Sequence, residues 1–257
     1  MDARTIRIAA IVGLLAPAGV CLAQSPLFGN TLPDVSSREN APAALQIILL
    51  LTVLSLAPAI LLMMTSFTRI IIVLSLLRQA MGTQQLPPNQ ILIGLSLFMT
   101  FLVMQPTLKA VNDEALQPYL AGTKDAKSAL NDAQGPLRTF MIRQILAWEN
   151  GDDVLLFHQF AIGKKLDDPR LLNFGEVSTI SLIPAYVLSE LKIAFQMGFT
   201  IYLPFLVIDI VISSVLISMG MMMLPPVLIS LPFKLLLFVL VNGWRLITHN
   251  LMDSFVH

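Results

Sequence analysis

The chain has 257 residues, of which 56% are hydrophobic and only 12% charged, and its sixteen basic and sixteen acidic side chains leave no formal net charge. That is about half the charged fraction of an ordinary soluble domain, and the even balance offers no basic surface for nucleic acid. Three charge-free runs, Asn40–Thr68, Gln79–Leu108 and Ile210–Phe233, hold 29, 30 and 24 residues. Each exceeds the roughly 20 residues that cross a bilayer core, so the composition is that of a polytopic membrane protein.

Residues 1–23 carry two arginines in MDARTIR and then the apolar stretch IAAIVGLLAPAGVCLA. Cys21 and Ala23 stand at −3 and −1 of a cut between Ala23 and Gln24, the form of a secretory signal peptide. The alternative is a short first membrane anchor. Val20 argues against lipid attachment at Cys21, and Cys21 is the only cysteine, so a mature chain would have neither disulfide nor thiol chemistry. Residues 24–42, rich in Pro, Ser, Asn and Gly, are expected to form a flexible periplasmic lead-in.

Residues 43–110 form a predicted first hydrophobic hairpin. Its first arm, 43–67, contains Pro58 as a kink. TSFTRIIIVLSLLRQAMG then carries Arg69 and Arg78 and closes on Gly82, Pro87 and Pro88, and a second arm returns over about 89–109. Residues 111–184 are expected to be a helical periplasmic insert, since 109–192 holds 20 of the 32 charged side chains. PLRTFMIRQILAW, from Pro136, places Leu137, Phe140, Met141, Ile145 and Trp148 on one helical face. This face, with Phe140 and Trp148, is expected to pack laterally between copies of the chain. A second amphipathic helix is predicted over Asp152–Lys165 and a third starting at Pro184. No period-2 strand pattern competes, so the fold class is all-α.

Residues 185–257 form a predicted second hydrophobic hairpin about MGMMMLPP, residues 219–226. Gly220, Pro225 and Pro226 bracket the methionines with helix-breaking residues, so Met219, Met221, Met222 and Met223 can converge as they could not on a continuous helix. Methionine is flexible and polarizable. Composition leaves two readings open: gap-filling at a membrane edge, or a soft plug. Asp209 and Lys234 each stand about 13 residues from the centre of this turn, at similar depth in an antiparallel hairpin. An ionised group at mid-membrane costs roughly 3 kcal/mol on insertion scales, so the two are expected either to pair or to form a proton-relay site. With the signal cleaved, the positive-inside rule puts the Arg69/Arg78 connection in the cytoplasm and both mature termini in the periplasm.

Catalytic readings find little support. Gly163-Lys164-Lys165 lacks the rest of a phosphate-binding loop. His158, His249 and His257 have no metal-ligand spacing. Asp152-Asp153 reads as a helix cap and Asp167-Asp168 as a turn before Pro169. No cofactor and no enzymatic activity are expected.

The stretches PAYVLSELKIAFQMGF (184–199), YLPFLVIDIVISSVLISMGMMMLPP (202–226) and LPFKLLLF (231–238) resemble signature regions of the FliP family, export-gate subunits of flagellar and virulence type III secretion systems. TSFTRIIIVLSLLRQAMG (65–82) and LPPNQILIGLSLFMTFLVMQP (86–106) match as well, and the resemblance covers nearly the whole mature chain. It implies five copies assembled with FliQ- and FliR-type gate subunits into a conical helical channel in the bacterial inner membrane. A FliO-type assembly factor and other export-apparatus membrane proteins are further implied partners, and unfolded flagellar proteins the cargo. It also implies a pore gasket of Met221, Met222 and Met223, with Met219 less firmly placed, and apolar hairpins buried against other subunits. The signal peptide and the SFTRIII stretch favour the flagellar branch over an injectisome homologue. A small-molecule or ion transporter centred on Asp209 and Lys234 is the remaining alternative class.

Overall fold

The computed structural model describes residues 51–52, 55, 58–60, 62–83, 86–163, 173–221 and 224–255. The expected signal peptide with its Ala23/Gln24 cut, the lead-in and most of the first hairpin arm lie outside the described residues. The chain divides into two compact units, 1–58 and 59–257. In the first, Leu51, Thr52, Ser55 and Pro58 are helical. Everything below concerns the second.

Every regular element among the described residues is helical. After a break at Met64–Ser66, α1 runs over Phe67–Ala80. Its apolar residues face several neighbours at once, and Ile70, Val73, Leu74 and Leu77 are fully buried. This 14-residue helix is the centre of the unit and packs on both α2 and α5. The turn after it, through Gly82 and the Pro87-Pro88 pair, admits α2 at Asn89. α2 extends to Leu120, 32 residues in all, with a π-helical turn at Asn112–Leu116 before its last α-helical turn. Ser96 and Thr100, both buried in this apolar helix, satisfy their hydroxyls on the carbonyls of Leu92 and Ser96 at 2.7 Å each.

α3 spans Ala126–Ala147 and so begins ten residues before Pro136, which lies inside it. The face read from the sequence is real, with Phe140, Met141 and Ile145 buried, but it is used within the chain. Phe140 meets Tyr186 edge-on at 6.1 Å between ring centroids, and Tyr186 in turn donates to the Thr65 carbonyl at 3.0 Å. Phe140, Met141 and Ile145 are therefore covered within the chain itself, while Leu130 and Leu146 of α3 stay exposed. α4, Gly151–Ile162, stops at Gly163. It is tied to α5 by the Asn150–Ser189 hydrogen bond of 2.8 Å and the Lys192–Asp153 ion pair.

α5 is a 40-residue helix, Thr179–Ser218, about 60 Å long at 1.5 Å per residue. Ser178 caps it, its hydroxyl accepting from the Ser181 N–H at 3.4 Å. Pro184 was expected at its start and stands instead in its second turn, because the cap six residues upstream starts the helix there. α5 runs unbroken from the insert into the second hairpin, where α6, Pro226–Leu240, returns along it. A 65° bend then separates α6 from α7, Gly243–Asp253. By length and apolarity α2 and α5 can each cross a membrane, and α6 with α7 would make a third, bent span.

Leu74 lies at the crossing of the central helices and is fully buried. Leu74→Ala is expected to remove about 3 kcal/mol of stability, read as a lowered melting temperature of the extracted protein. Phe98→Ala, at a side chain 73% exposed on the isolated chain, is expected to leave that temperature nearly unchanged.

Candidate functional site

The tip of the α5–α6 hairpin is shaped by backbone chemistry. Past Ser218, Gly220 adopts a left-handed conformation with φ +75°. Its N–H reaches the Ile217 carbonyl, and the Met221 N–H reaches back to Leu216, both at 3.0 Å. This pair of bonds satisfies carbonyls that a helix end otherwise leaves open, and glycine takes the required φ without a Cβ penalty. On the return, Pro225 is extended and Pro226 occupies the first helical position of α6, where its missing N–H costs nothing. Met219 is 66% and Met221 39% exposed at this tip. Met222 and Met223 lie outside the described residues.

About two and a half helical turns from the end of α5, the hairpin contains a polar cluster. Lys234 Nζ lies 2.6 Å from Asp209 Oδ2 and donates a second bond of 3.2 Å to the Ala80 carbonyl at the end of α1. Ser230 Oγ donates to Asp209 Oδ1 at 2.6 Å. The structure thus brings Asp209 and Lys234 together, with Lys234 buried and Asp209 partly exposed, and engages both carboxylate oxygens. The cluster links α5, α6 and the C-terminal end of α1.

A second cluster was not foreseen. Arg69, fully buried near the start of α1, makes a two-pronged ion pair with the fully buried Glu190 of α5: Nε to Oε2 at 2.7 Å and Nη2 to Oε1 at 2.6 Å. Nη2 also reaches Gln144 Oε1 of α3 at 3.2 Å, and Nη1 reaches the carbonyl and hydroxyl of Ser254 at 3.0 and 3.1 Å. All five guanidinium N–H groups are accounted for. The Phe255 ring lies 3.9 Å and the Trp148 ring 5.6 Å from the guanidinium carbon, covering it.

Arg69 is therefore not a loop cation, and the orientation drawn from an Arg69/Arg78 connection loses one of its two charges. Arg78 does stand near a turn, donating to Asn89 Oδ1 at 2.5 Å. The available signal for the second cluster was a single base at the head of an apolar helix and a single acid within PAYVLSELKIAF. Among the described residues no group of three or more His, Cys, Asp or Glu side chains could hold a metal.

Removing one partner of a buried ion pair leaves an uncompensated charge, at about 3–5 kcal/mol. Glu190→Gln and Arg69→Met are each expected to lower the melting temperature sharply, and the Arg69→Met/Glu190→Leu double variant to recover much of the loss. Exchanging the charges of Asp209 and Lys234 is expected to recover only part of the stability lost in either single reversal. The swapped carboxylate would then face the Ala80 carbonyl, which now accepts from Lys234. The melting temperature of the extracted protein reads the outcome.

The FliP family model matches residues 50–251, a stretch that contains the methionine turn, the Asp209–Lys234 cluster and the Arg69–Glu190 pair with Gln144. A flagellar biosynthetic protein FliP of Bacillus subtilis is 50% identical over 220 residues, covering 86% of this chain and 96% of its own length. The protein of that name from Pectobacterium carotovorum is 48% identical over 252 residues, 98% and 94% of the two chains. That of Caulobacter vibrioides is 43% identical over 256 residues, 98% and 93%. With the family model spanning most of its length and relatives this similar aligned nearly end to end, the chain belongs to the FliP family.

Proposed function

We propose that this chain is the pore-forming core subunit of a flagellar type III protein export gate in the bacterial inner membrane, at the flagellar basal body. Five copies would assemble with FliQ- and FliR-type subunits into a conical channel, aided by a FliO-type assembly factor. Unfolded flagellar proteins would pass through it, and the chain itself would carry no catalysis. The insert and both mature termini would lie on the periplasmic side. Family membership supports this reading, and the relatives compared, which carry a flagellar name, favour the flagellar branch over the injectisome branch.

The observation that carries it beyond the family name is where the apolar surface lies. Only 11% of the most apolar window of α5 is buried inside the chain. Phe195, Phe199, Val207, Ile210, Val211 and Ile217 point outward. A surface of that size needs lipid or neighbouring subunits to cover it, and the assembly supplies neighbours. In such a ring the turn carrying Met219, Met221, Met222 and Met223 would be repeated about the pore. Unbranched thioether side chains pack against one another when the passage is idle and part around varied cargo without demanding hydrogen bonds. Leucines would be stiffer, and polar residues would hold water and leak. The engagement of both Asp209 oxygens by Lys234 and Ser230 supports a structural role for that pair rather than a transport site for small solutes.

Replacing Met221, Met222 and Met223 together by alanine is expected to raise ion leak across the inner membrane while flagellar protein export continues. Leak is followed with a potential-sensitive dye and export by secreted flagellin. An assembled gate with unchanged leak would place the seal elsewhere.

A further inference from the structure

α7 is held very unevenly. At its head the chain bends by 65° through Asn242, a non-glycine residue in the left-handed region with φ +53°. Gly243 follows, pressed so closely onto Phe238 that an added Cβ would lie 2.3 Å from the ring. Phe238 also meets Trp244 edge-on at 5.3 Å. At its tail the turn Ser254–Phe255 is fastened to Arg69 through the Ser254 carbonyl and hydroxyl and the Phe255 ring.

Between these two fastenings the packing is thin at mid-helix, and only Leu251, in the last turn beside the tail, is fully buried. Ile247, the buried residue at mid-helix, borders two cavities. One, of about 390 Å³, lies against Phe205 and Phe238. The other, of about 220 Å³, lies against Val73 and Trp148. Both open to the surface, so the atoms lining them lack partners on one side. A third space, an open cleft of about 510 Å³, runs along Trp244 and Arg245 toward Leu95. The solvent side of the helix is otherwise exposed, with Arg245 and His249 on it.

We propose that α7 is a strap: a helix that lifts off the body as one unit about the Asn242–Gly243 elbow, with Arg69 as its latch. Regions with few buried contacts open locally at lower free energy than the core. Here the opening is set by the contacts at the tail, Leu251 among them, rather than by the middle of the helix. Release would uncover Trp148 and the trough on α1 and α5 formed by Val73, Met197 and Ile201. The Arg69–Glu190 pair would stay made, since its bonds do not involve the strap. The inference is independent of the export reading.

The test is amide hydrogen exchange on the full chain extracted from the membrane in mild detergent, wild type against Phe255→Ala. Removing the ring from the guanidinium is expected to speed exchange across Trp244–Leu251 about tenfold, with α1 and α5 unchanged. Ser254→Ala, which deletes the hydroxyl's contact with Arg69 and its bond to the Leu251 carbonyl but keeps the Ser254 carbonyl contact, is expected to act on the same residues by a smaller factor and serves if Phe255→Ala does not fold. Exchange in α7 that neither variant changes would overturn the proposal. Acceleration of α1 and α5 together with α7 would overturn it equally, because the strap would then not open alone.

Discussion

A guanidinium with no access to water must find all its partners inside the protein, and Arg69 does so from three separate parts of the chain. Glu190 supplies the countercharge in the geometry that suits a planar fork. Gln144 and Ser254 supply the neutral acceptors, and two aromatic rings exclude solvent. The desolvation cost of such a pair is large, and its attraction offsets that cost only when every donor is satisfied. Apolar helix faces can slide on one another by a turn with little change in buried area. A bidentate pair cannot. The cage therefore fixes how α1, α3, α5 and the turn after α7 stand relative to each other, and the hydrophobic core around Ile70, Leu74 and Leu182 fills in about that register.

The Asp209–Lys234 cluster plays the same part at the opposite end of α1. Lys234 reaches the last carbonyl of that helix, so one short helix carries an ionic fastening at each end, and α5 contributes the acid to both. The methionine turn lies beyond the second fastening. Gly220 and the two prolines shape its described backbone on either side, and Met219 and Met221 are exposed on a hairpin held by polar contacts below. Rigid support beneath a soft tip is a physically coherent arrangement for the proposed seal. A thioether ring works only if the helices that present it keep their spacing.

The polar chemistry of the chain is directed inward and its apolar surface outward, the reverse of a soluble domain. The charged residues of α5 and α6 are paired within the chain, whereas phenylalanines and leucines cover the outside of α2, α5 and α6. This inversion is what a helix bundle shows when its surroundings are hydrocarbon or other apolar helices. It also explains why the insert is not an independent domain. Helices α3 and α4 have too little apolar area for a core of their own, and they use the upper half of α5 as their floor.

Much of this was legible in the residues themselves. Charge-free runs and the absence of a two-residue period specify helices, and Gly82 with Pro87-Pro88 and the Gly220–Pro226 turn end or start them where they stand, whereas α4 stops at Gly163, short of the expected Lys165. The pairing partners Asp209 and Lys234 could be named because a hairpin with an identifiable tip converts sequence distance into depth. Tertiary structure alone decided the rest. Pro184 lies inside a helix because the Ser178 cap starts it upstream, and Pro136 lies inside α3, which packs against α2 and α5. The elbow at Asn242–Gly243 depends on Phe238 packing across it. Arg69 and Glu190 are 121 residues apart, with no turn between them that would set their depths. Periodicity, caps and turns are local, so neighbouring residues encode them. A buried cage drawn from three distant segments exists only once those segments have packed.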